Sequence, residues 1–239
     1  MTGSNALILI GGGHYVGKEE MALCIKENVE QLVKSSVTIE VINMEMYKDP
    51  HIVTTSQGGK NAAITVGANR LLHLKPSRFD FEALKKDLRS TLATGKDTEQ
   101  KLVIVHGLYA LYDKELCEMA QIKVYVGGDA DNRLIRWIKK EVLSNSLNQP
   151  MALEHVINSY LHGARDEMRD YIFPTKERAD IIFPRGTETK AVALIADGIL
   201  AFLGSSPSLE SAASMLRPTE STFQTERFNN EKGKYYELN

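Results

Sequence analysis

Residues 12–18 read Gly-Gly-His-Tyr-Val-Gly-Lys, which places glycines and a lysine at the spacing G-x-x-x-x-G-K. Glycines let the main chain wrap an anion with its N–H groups pointing inward, and a following helix adds the partial positive charge of its N-terminus. Lys18 would then reach the β- and γ-phosphates of a nucleoside triphosphate. A glycine turn without any ligand is the alternative. The residues predicted to bind nucleotide are Gly12, Gly13, His14, Tyr15, Val16, Gly17, Lys18 and Glu19.

Glu19 follows the lysine, at the position where the motif normally has a serine or threonine whose hydroxyl binds Mg²⁺. A carboxylate is a good ligand for Mg²⁺ because it is a hard oxygen donor. It is also a negative charge beside bound phosphates, and it repels them. Two interpretations therefore follow: Glu19 binds the metal directly, or the site holds nucleotide weakly.

The loop needs a strand before it and a helix behind it, and the hydrophobic pattern predicts both. Residues 6–10 form a compact apolar run typical of a buried strand, and apolar residues recur at helical spacing after the loop. Further strands are predicted at 38–42, 101–105, 124–126 and 179–183. Further helices are predicted at 61–72, 81–92, 129–143, 152–169 and 191–203.

Strands that alternate with helices indicate crossover connections, and these predict an α/β fold with a parallel sheet. The strands are continuous apolar runs rather than alternating ones, so helices should cover both faces of the sheet. Ligands of such sheets bind at the carboxyl ends of the strands, which is where the glycine loop follows its strand.

The composition fits one domain followed by a tail. The chain has 239 residues, 43% of them hydrophobic, with a formal charge of −2 and two cysteines. This balance argues against a polycation that binds nucleic acid or a membrane surface, and no apolar run approaches the roughly 20 residues of a membrane span. We expect a cytoplasmic protein, with the nucleus as an alternative. Residues 1–203 should form the domain, and residues 204–239 a disordered tail.

Five segments, in a fixed order, carry a further signal. Residues 41–47 read V-I-N-M-E-M-Y, residues 76–80 read P-S-R-F-D and residues 103–112 read V-I-V-H-G-L-Y-A-L-Y. Residues 123–134 read K-V-Y-V-G-G-D-A-D-N-R-L, and residues 173–186 read F-P-T-K-E-R-A-D-I-I-F-P-R-G. They resemble V-I-S-x-D-S-F-Y, P-D-A-F-D, V-I-V-E-G-I-L-A-L-Y, K-I-F-V-D-T-D-A-D-x-R-L and E-P-T-K-x-x-A-D-I-I-I-P-R-G of the uridine kinase family. A divergent fungal branch of that family is the most similar.

The resemblance implies a P-loop kinase fold with a five-stranded parallel sheet and a lid. It also implies transfer of the γ-phosphoryl group of ATP, with Mg²⁺, to the 5′-hydroxyl of uridine or cytidine. Lys18 would hold the phosphates in this reaction. The general base of the family is the aspartate of D-S-F-Y, which falls on Met44, so the neighbouring Glu45 would have to replace it. The acidic residue after the third strand falls on His106.

If the protein is an active kinase, further residues would serve the substrates and the metal. Tyr47, Arg136 and Lys140 would contact the substrates, although the lid arginines expected further along the chain are replaced. Glu19 and Asp129 would bind Mg²⁺.

Three hypotheses follow from these departures. In the first, the protein is an active ATP-dependent pyrimidine nucleoside kinase, because phosphoryl transfer depends mostly on positioning and charge stabilisation. In the second, it is a nucleotide-binding regulatory pseudoenzyme that assembles as a homo-oligomer or with an active homologue. In the third, it phosphorylates a different small substrate.

Overall fold

The computed structural model describes residues 5–33, 37–48, 75–93, 100–143, 153–186 and 189–203, all within the compact unit Met1–Ser205. The strands are β1 (Ala6–Gly12), β2 (Val37–Asn43), β3 (Gln100–Gly107), β4 (Ile122–Val126) and β5 (Ile181–Phe183). They form one sheet in the order β2-β3-β1-β4-β5, and every pairing is parallel. The predicted α/β fold with a five-stranded parallel sheet is confirmed.

Helices connect the strands and cover the sheet. Within the described residues the α-helices are α1 (Lys18–Leu32), α2 (Phe81–Ala93), α3 (Lys114–Met119), α4 (Ala130–Ile138), α5 (Leu153–Ser159), α6 (Arg165–Glu167) and α7 (Thr189–Phe202). None of these described helices combines the length and the apolar character that crossing a membrane requires.

The core lies on both faces of the sheet, because successive residues of a strand point to opposite sides. Ile8 and Ile10 of β1 share a core cluster with residues of α1 and α7. Leu7 and Leu9 share a second cluster with residues of α2 and α3. All four side chains are fully buried, and burying each contributes about 1.5–3 kcal/mol to folding. The central strand is therefore held from both sides, and it fixes the position of the loop that follows it.

Two helices differ from their predicted form, although their positions agree. The segment 129–143 is α-helical to Ile138 and then forms a π-helical turn, Lys139–Leu143. The segment 152–169 begins as α5 and continues through the π-helical turn Tyr160–Ala164, α6 and the π-helical turn Met168–Ile172. Hydrophobic periodicity predicts that a helix forms but does not distinguish i−4 from i−5 hydrogen bonding.

β5 begins at Ile181 rather than at residue 179. Residues Phe173–Arg178 form a 3₁₀ helix, and Ala179 is its C-cap. The N–H of Asp180 then donates to the carbonyl oxygen of Lys123 at 2.8 Å. The predicted helix at 61–72 and the predicted tail at 204–239 lie outside the described residues.

Candidate nucleotide and phosphoryl-transfer site

The glycine loop joins the end of β1 to the start of α1 through three residues with positive φ. Gly12 has a φ of 149° and Gly17 a φ of 94°. A Cβ atom on Gly12 would lie 2.2 Å from the carbonyl oxygen of Val126, so only glycine fits there. Tyr15 has a φ of 54°, which is uncommon for a bulky residue. The main chain therefore curls at this point instead of extending the strand.

Lys18 is the first residue of α1, and its side chain turns back into the loop. Its Nζ donates a hydrogen bond to the carbonyl oxygen of Gly13 at 2.6 Å. Burial lowers the pKa of Lys18 to about 8, although the negative charge of Glu45 opposes that shift. A phosphate oxygen that replaced the Gly13 carbonyl as hydrogen-bond partner would meet the ammonium group at the inner edge of the loop.

A cavity of about 330 Å³ lies beside the loop. Four of the residues predicted from the sequence line it, two from the loop, one at the N-cap of α4 and one in the last turn of α4: Tyr15, Val16, Asp129 and Arg136. Arg133, Lys139 and Arg185 also line it and were not predicted as site residues. The basic side chains give the cavity the charge that attracts a polyphosphate.

Arg133 belongs to α4, and its side chain extends to the glycine loop. It is 8% exposed, and its Nε has no hydrogen-bond partner within the described parts of the chain. Its Nη1 would lie 3.0 Å from a Cβ on Gly13, so the guanidinium reaches the loop backbone. A buried donor without a partner is costly unless a ligand or water satisfies it. The sequence signal for this residue is the arginine of A-D-N-R-L, a segment that carries the family resemblance but does not by itself indicate a role in the site.

An aromatic stack ties the loop to α4. The ring of Trp137 stacks on Tyr15, with ring centroids 5.0 Å apart, and on His14, with centroids 5.5 Å apart. The hydroxyl of Tyr15 donates to Glu141 at 2.9 Å, and the ammonium of Lys140 lies 6.0 Å from the centre of the Tyr15 ring. Lys140 thus contacts the loop through Tyr15.

Outside the cavity lining, three side chains converge on the carboxylate of Glu167 in α6. His14 Nε2 lies 2.7 Å from Oε2, and Arg78 donates to Oε1 at 2.7 Å. The hydroxyl of Tyr109 donates to the same Oε1. Burial would raise the pKa of Glu167, but its hydrogen bond with His14 and the positive charge of Arg78 lower it overall. Glu167 is therefore an ionised carboxylate with a fully buried side chain.

Neither Arg78 nor Glu167 was predicted as a site residue. Arg78 stands where the family segment P-D-A-F-D has alanine, and that replacement was the available signal. Glu167 follows no recognised motif, so nothing in the sequence pointed to it.

The residues predicted to act on the acceptor lie at the end of β2. Met44 is fully buried, whereas the side chain of Glu45 is 41% exposed and forms an ion pair with Lys48. Tyr47 donates its hydroxyl to Asp87 at 3.0 Å. The general-base position of the family is thus occupied by a core methionine, and Glu45 is a partly exposed carboxylate whose charge acts on Lys18.

The residues predicted to bind the metal lie on two different helices. Asp129 is the N-cap of α4, but its side chain makes no capping hydrogen bond. Glu19 is exposed in the first turn of α1. Burial lowers the pKa of the nearby His106, and the negative charge of Glu19 opposes that shift. Among the described residues, no three His, Cys, Asp or Glu side chains are grouped so that they could hold a metal ion.

Comparisons with known proteins show what this chain is similar to. A sequence model described as "Phosphoribulokinase / Uridine kinase family" matches residues 91–192. A protein of Saccharomyces cerevisiae named "Putative uridine kinase DAS2" is 31% identical over 97% of this chain and 95% of its own length.

Other relatives match over shorter segments. Uridine kinase of Staphylococcus haemolyticus is 37% identical over 37% of this chain and 41% of its own length. Uridine-cytidine kinase A of Dictyostelium discoideum is 32% identical over 47% of this chain and 26% of its own length. Shikimate kinase from Acinetobacter baumannii aligns in three dimensions with a TM-score of 0.40 and 16% identity, over 84% of this chain and 94% of its own.

Proposed function

Because the chain belongs to the phosphoribulokinase/uridine kinase family, we propose that it is an ATP-dependent kinase that phosphorylates a pyrimidine nucleoside, uridine or cytidine. The observation that carries this proposal is the curled loop with the Lys18 ammonium turned into it. The basic cavity beside the loop supports the same function.

Each part of the loop region has a role in binding ATP. The main-chain N–H groups of residues 13–18 and the start of α1 surround the phosphates. Lys18 exchanges its bond to the Gly13 carbonyl for a bond to a phosphate oxygen. Arg133 brings its guanidinium to the loop at Gly13, and Arg136 and Arg185 line the cavity around the rest of the nucleotide. Charge stabilisation of this kind supplies most of the catalysis of phosphoryl transfer.

The chain offers oxygen ligands suited to Mg²⁺. Mg²⁺ keeps several waters and is usually bound by one or two carboxylates together with substrate phosphates. Glu19 and Asp129 are the carboxylates that would hold it. A bound Mg²⁺ would neutralise part of the charge that develops on the phosphates.

A regulatory pseudoenzyme is the second candidate, and one observation favours it. Met44, which cannot accept a proton, fills the position of the family's general base with a fully buried side chain. A protein of this kind would bind ATP without turnover and act through an oligomeric partner.

A coupled assay with uridine or cytidine as acceptor, together with thermal unfolding in the presence of Mg-ATP, separates these functions. A kinase forms UMP or CMP, and Lys18→Ala abolishes the product. ATP at 100 times its Kd should stabilise either protein by about 2.7 kcal/mol. Stabilisation by ATP without any product, even at high protein concentration, would favour the pseudoenzyme. Product formation that survives Lys18→Ala would contradict the proposed site.

A further inference from the structure

The proposed kinase lacks a general base at the position its family uses. Met44 is part of the core, and the nearest carboxylate along the chain, Glu45, is largely exposed and paired with Lys48, although its charge still acts on Lys18. A base that accepts the proton of the acceptor hydroxyl contributes about 10²–10⁴-fold to the rate of such reactions. Another group near Lys18 would therefore have a clear chemical use.

His14 has the chemistry of such a group. Its Nε2 lies 2.7 Å from Oε2 of Glu167. An ionised carboxylate can only accept a hydrogen bond, so Nε2 carries the proton and Nδ1 of the neutral ring is an acceptor. Within the described residues Nδ1 has no hydrogen-bond partner, and 20% of the His14 side chain is exposed. The ring can therefore take up one proton, and water or a substrate can reach its surface.

The orientation of the ring is fixed from two sides. Trp137 stacks on it with an interplanar angle of 18°. Glu167 is itself held by Arg78 and by the hydroxyl of Tyr109, so the carboxylate cannot turn away from His14. A base oriented by a buried carboxylate is the arrangement that activates hydroxyl groups in other enzymes.

We propose that His14 is the general base of this kinase and that Glu167 positions it, an assignment that rests on the function proposed above. The oxygen of the acceptor hydroxyl bonds to the γ-phosphorus, and the bond from that phosphorus to the β–γ bridging oxygen breaks. ADP leaves with the electron pair of that bond. The hydroxyl proton moves to Nδ1 of His14, and the imidazolium later releases it to water.

The charges around His14 suit this cycle. Three charged groups act on the ring: Glu167 on α6, Lys18 on α1 and Arg78 in the turn before α2. The side chain that α4 places against the ring, Trp137, has no charge. Burial lowers the pKa of His14 below its usual value, so the ring is neutral at pH 7, while Glu167 opposes that shift. Glu167 would therefore stabilise the imidazolium that forms during transfer.

The test compares the pH dependence of kcat/KM for uridine phosphorylation in four variants. In His14→Gln, the new amide can still donate to Glu167 but cannot accept the proton. We expect kcat to fall about 10²–10⁴-fold, while Kd for ATP stays within about threefold and the acidic limb of the pH profile disappears. His155→Gln, which alters an exposed histidine of α5, is the matched control. Its profile should match that of the unaltered protein.

Glu167→Gln should shift the pH profile of kcat/KM, which the loss of a purely structural contact would not do. Because Glu167 raises the pKa of His14, its loss should lower that pKa further and move the acidic limb to lower pH. Thermal unfolding of each variant shows whether it is folded. Normal turnover and an unchanged limb in His14→Gln would overturn the base assignment and leave the kinase function intact. Loss of the acidic limb in Glu45→Gln would assign the base to Glu45 instead. An unaltered protein that binds ATP but phosphorylates neither nucleoside would refute the kinase function, and the base assignment with it.

Discussion

The lowered pKa of Lys18 predicts that ATP binding weakens above neutral pH. Without nucleotide, the ammonium has a pKa of about 8, because burial disfavours its charge. The negative charge of bound phosphates favours the protonated ammonium, so the pKa of Lys18 in the complex must lie well above 8. Only the protonated form of the free protein binds well. Affinity should therefore be nearly constant below the free pKa and fall as pH rises through it.

The size of the effect follows from the protonated fraction of Lys18. With a pKa of about 8, this fraction is about 0.9 at pH 7 and about 0.1 at pH 9. Kd for Mg-ATP should therefore rise about tenfold between these pH values, which corresponds to about 1.4 kcal/mol of binding free energy. Binding at pH 9 should also take up about 0.9 proton per ATP, provided that Lys18 is protonated in the complex.

Isothermal titration calorimetry in two buffers of different ionisation enthalpy measures both quantities. Lys18→Arg is the matched control, because guanidinium keeps its charge throughout this range. Its affinity should not change between pH 7 and pH 9, even if it binds less tightly overall. A pH-independent Kd in the unaltered protein, or the same tenfold loss in Lys18→Arg, would refute the assignment of the proton to Lys18.

Two further predictions concern the loop. Gly12→Ala should lower the free energy of unfolding by about 1–3 kcal/mol in urea titrations, because its Cβ would meet a carbonyl oxygen at 2.2 Å. Gly198→Ala in α7, where nothing lies within 4 Å, should instead raise it by about 0.5–1 kcal/mol, and equal effects at both sites would contradict the loop geometry. If Glu19 binds Mg²⁺, Glu19→Ala should raise the Mg²⁺ concentration needed for half-maximal activity, and Glu19→Ser should be tolerated. An unchanged Mg²⁺ response in Glu19→Ala would exclude that role.

The fold could be predicted because its signals are local. Each strand is a continuous apolar run, and β1 was located at residues 6–10 against an observed Ala6–Gly12. The loop spacing placed Lys18 at the start of a helix, where the structure has it. The first and last residues of an element are harder to predict because individual hydrogen bonds determine them. The hydrogen bond from the N–H of Asp180 to Lys123, just before β5 begins, is an example.

The Glu167 cluster could not be predicted, because its members come together only when the chain folds. His14 and Glu167 are 153 residues apart in the sequence, and Arg78 and Glu167 are 89 apart. No spacing rule connects such distant positions. The burial of Met44 could not be predicted either. Whether a methionine after β2 is buried depends on what packs against it, and here that is the backbone at Gly107.

The charges on the two sides of the loop suit the two partners of a phosphoryl transfer. On the cavity side, Arg133, Arg136 and Arg185 lie where a polyanion would bind. On the other side, the carboxylate of Glu167 offsets the charge of Arg78. A triphosphate is therefore attracted to the cavity, and the balanced charges around Glu167 favour an uncharged group such as a hydroxyl. If Arg78→Met increased the affinity for ATP, this division of charge would be wrong.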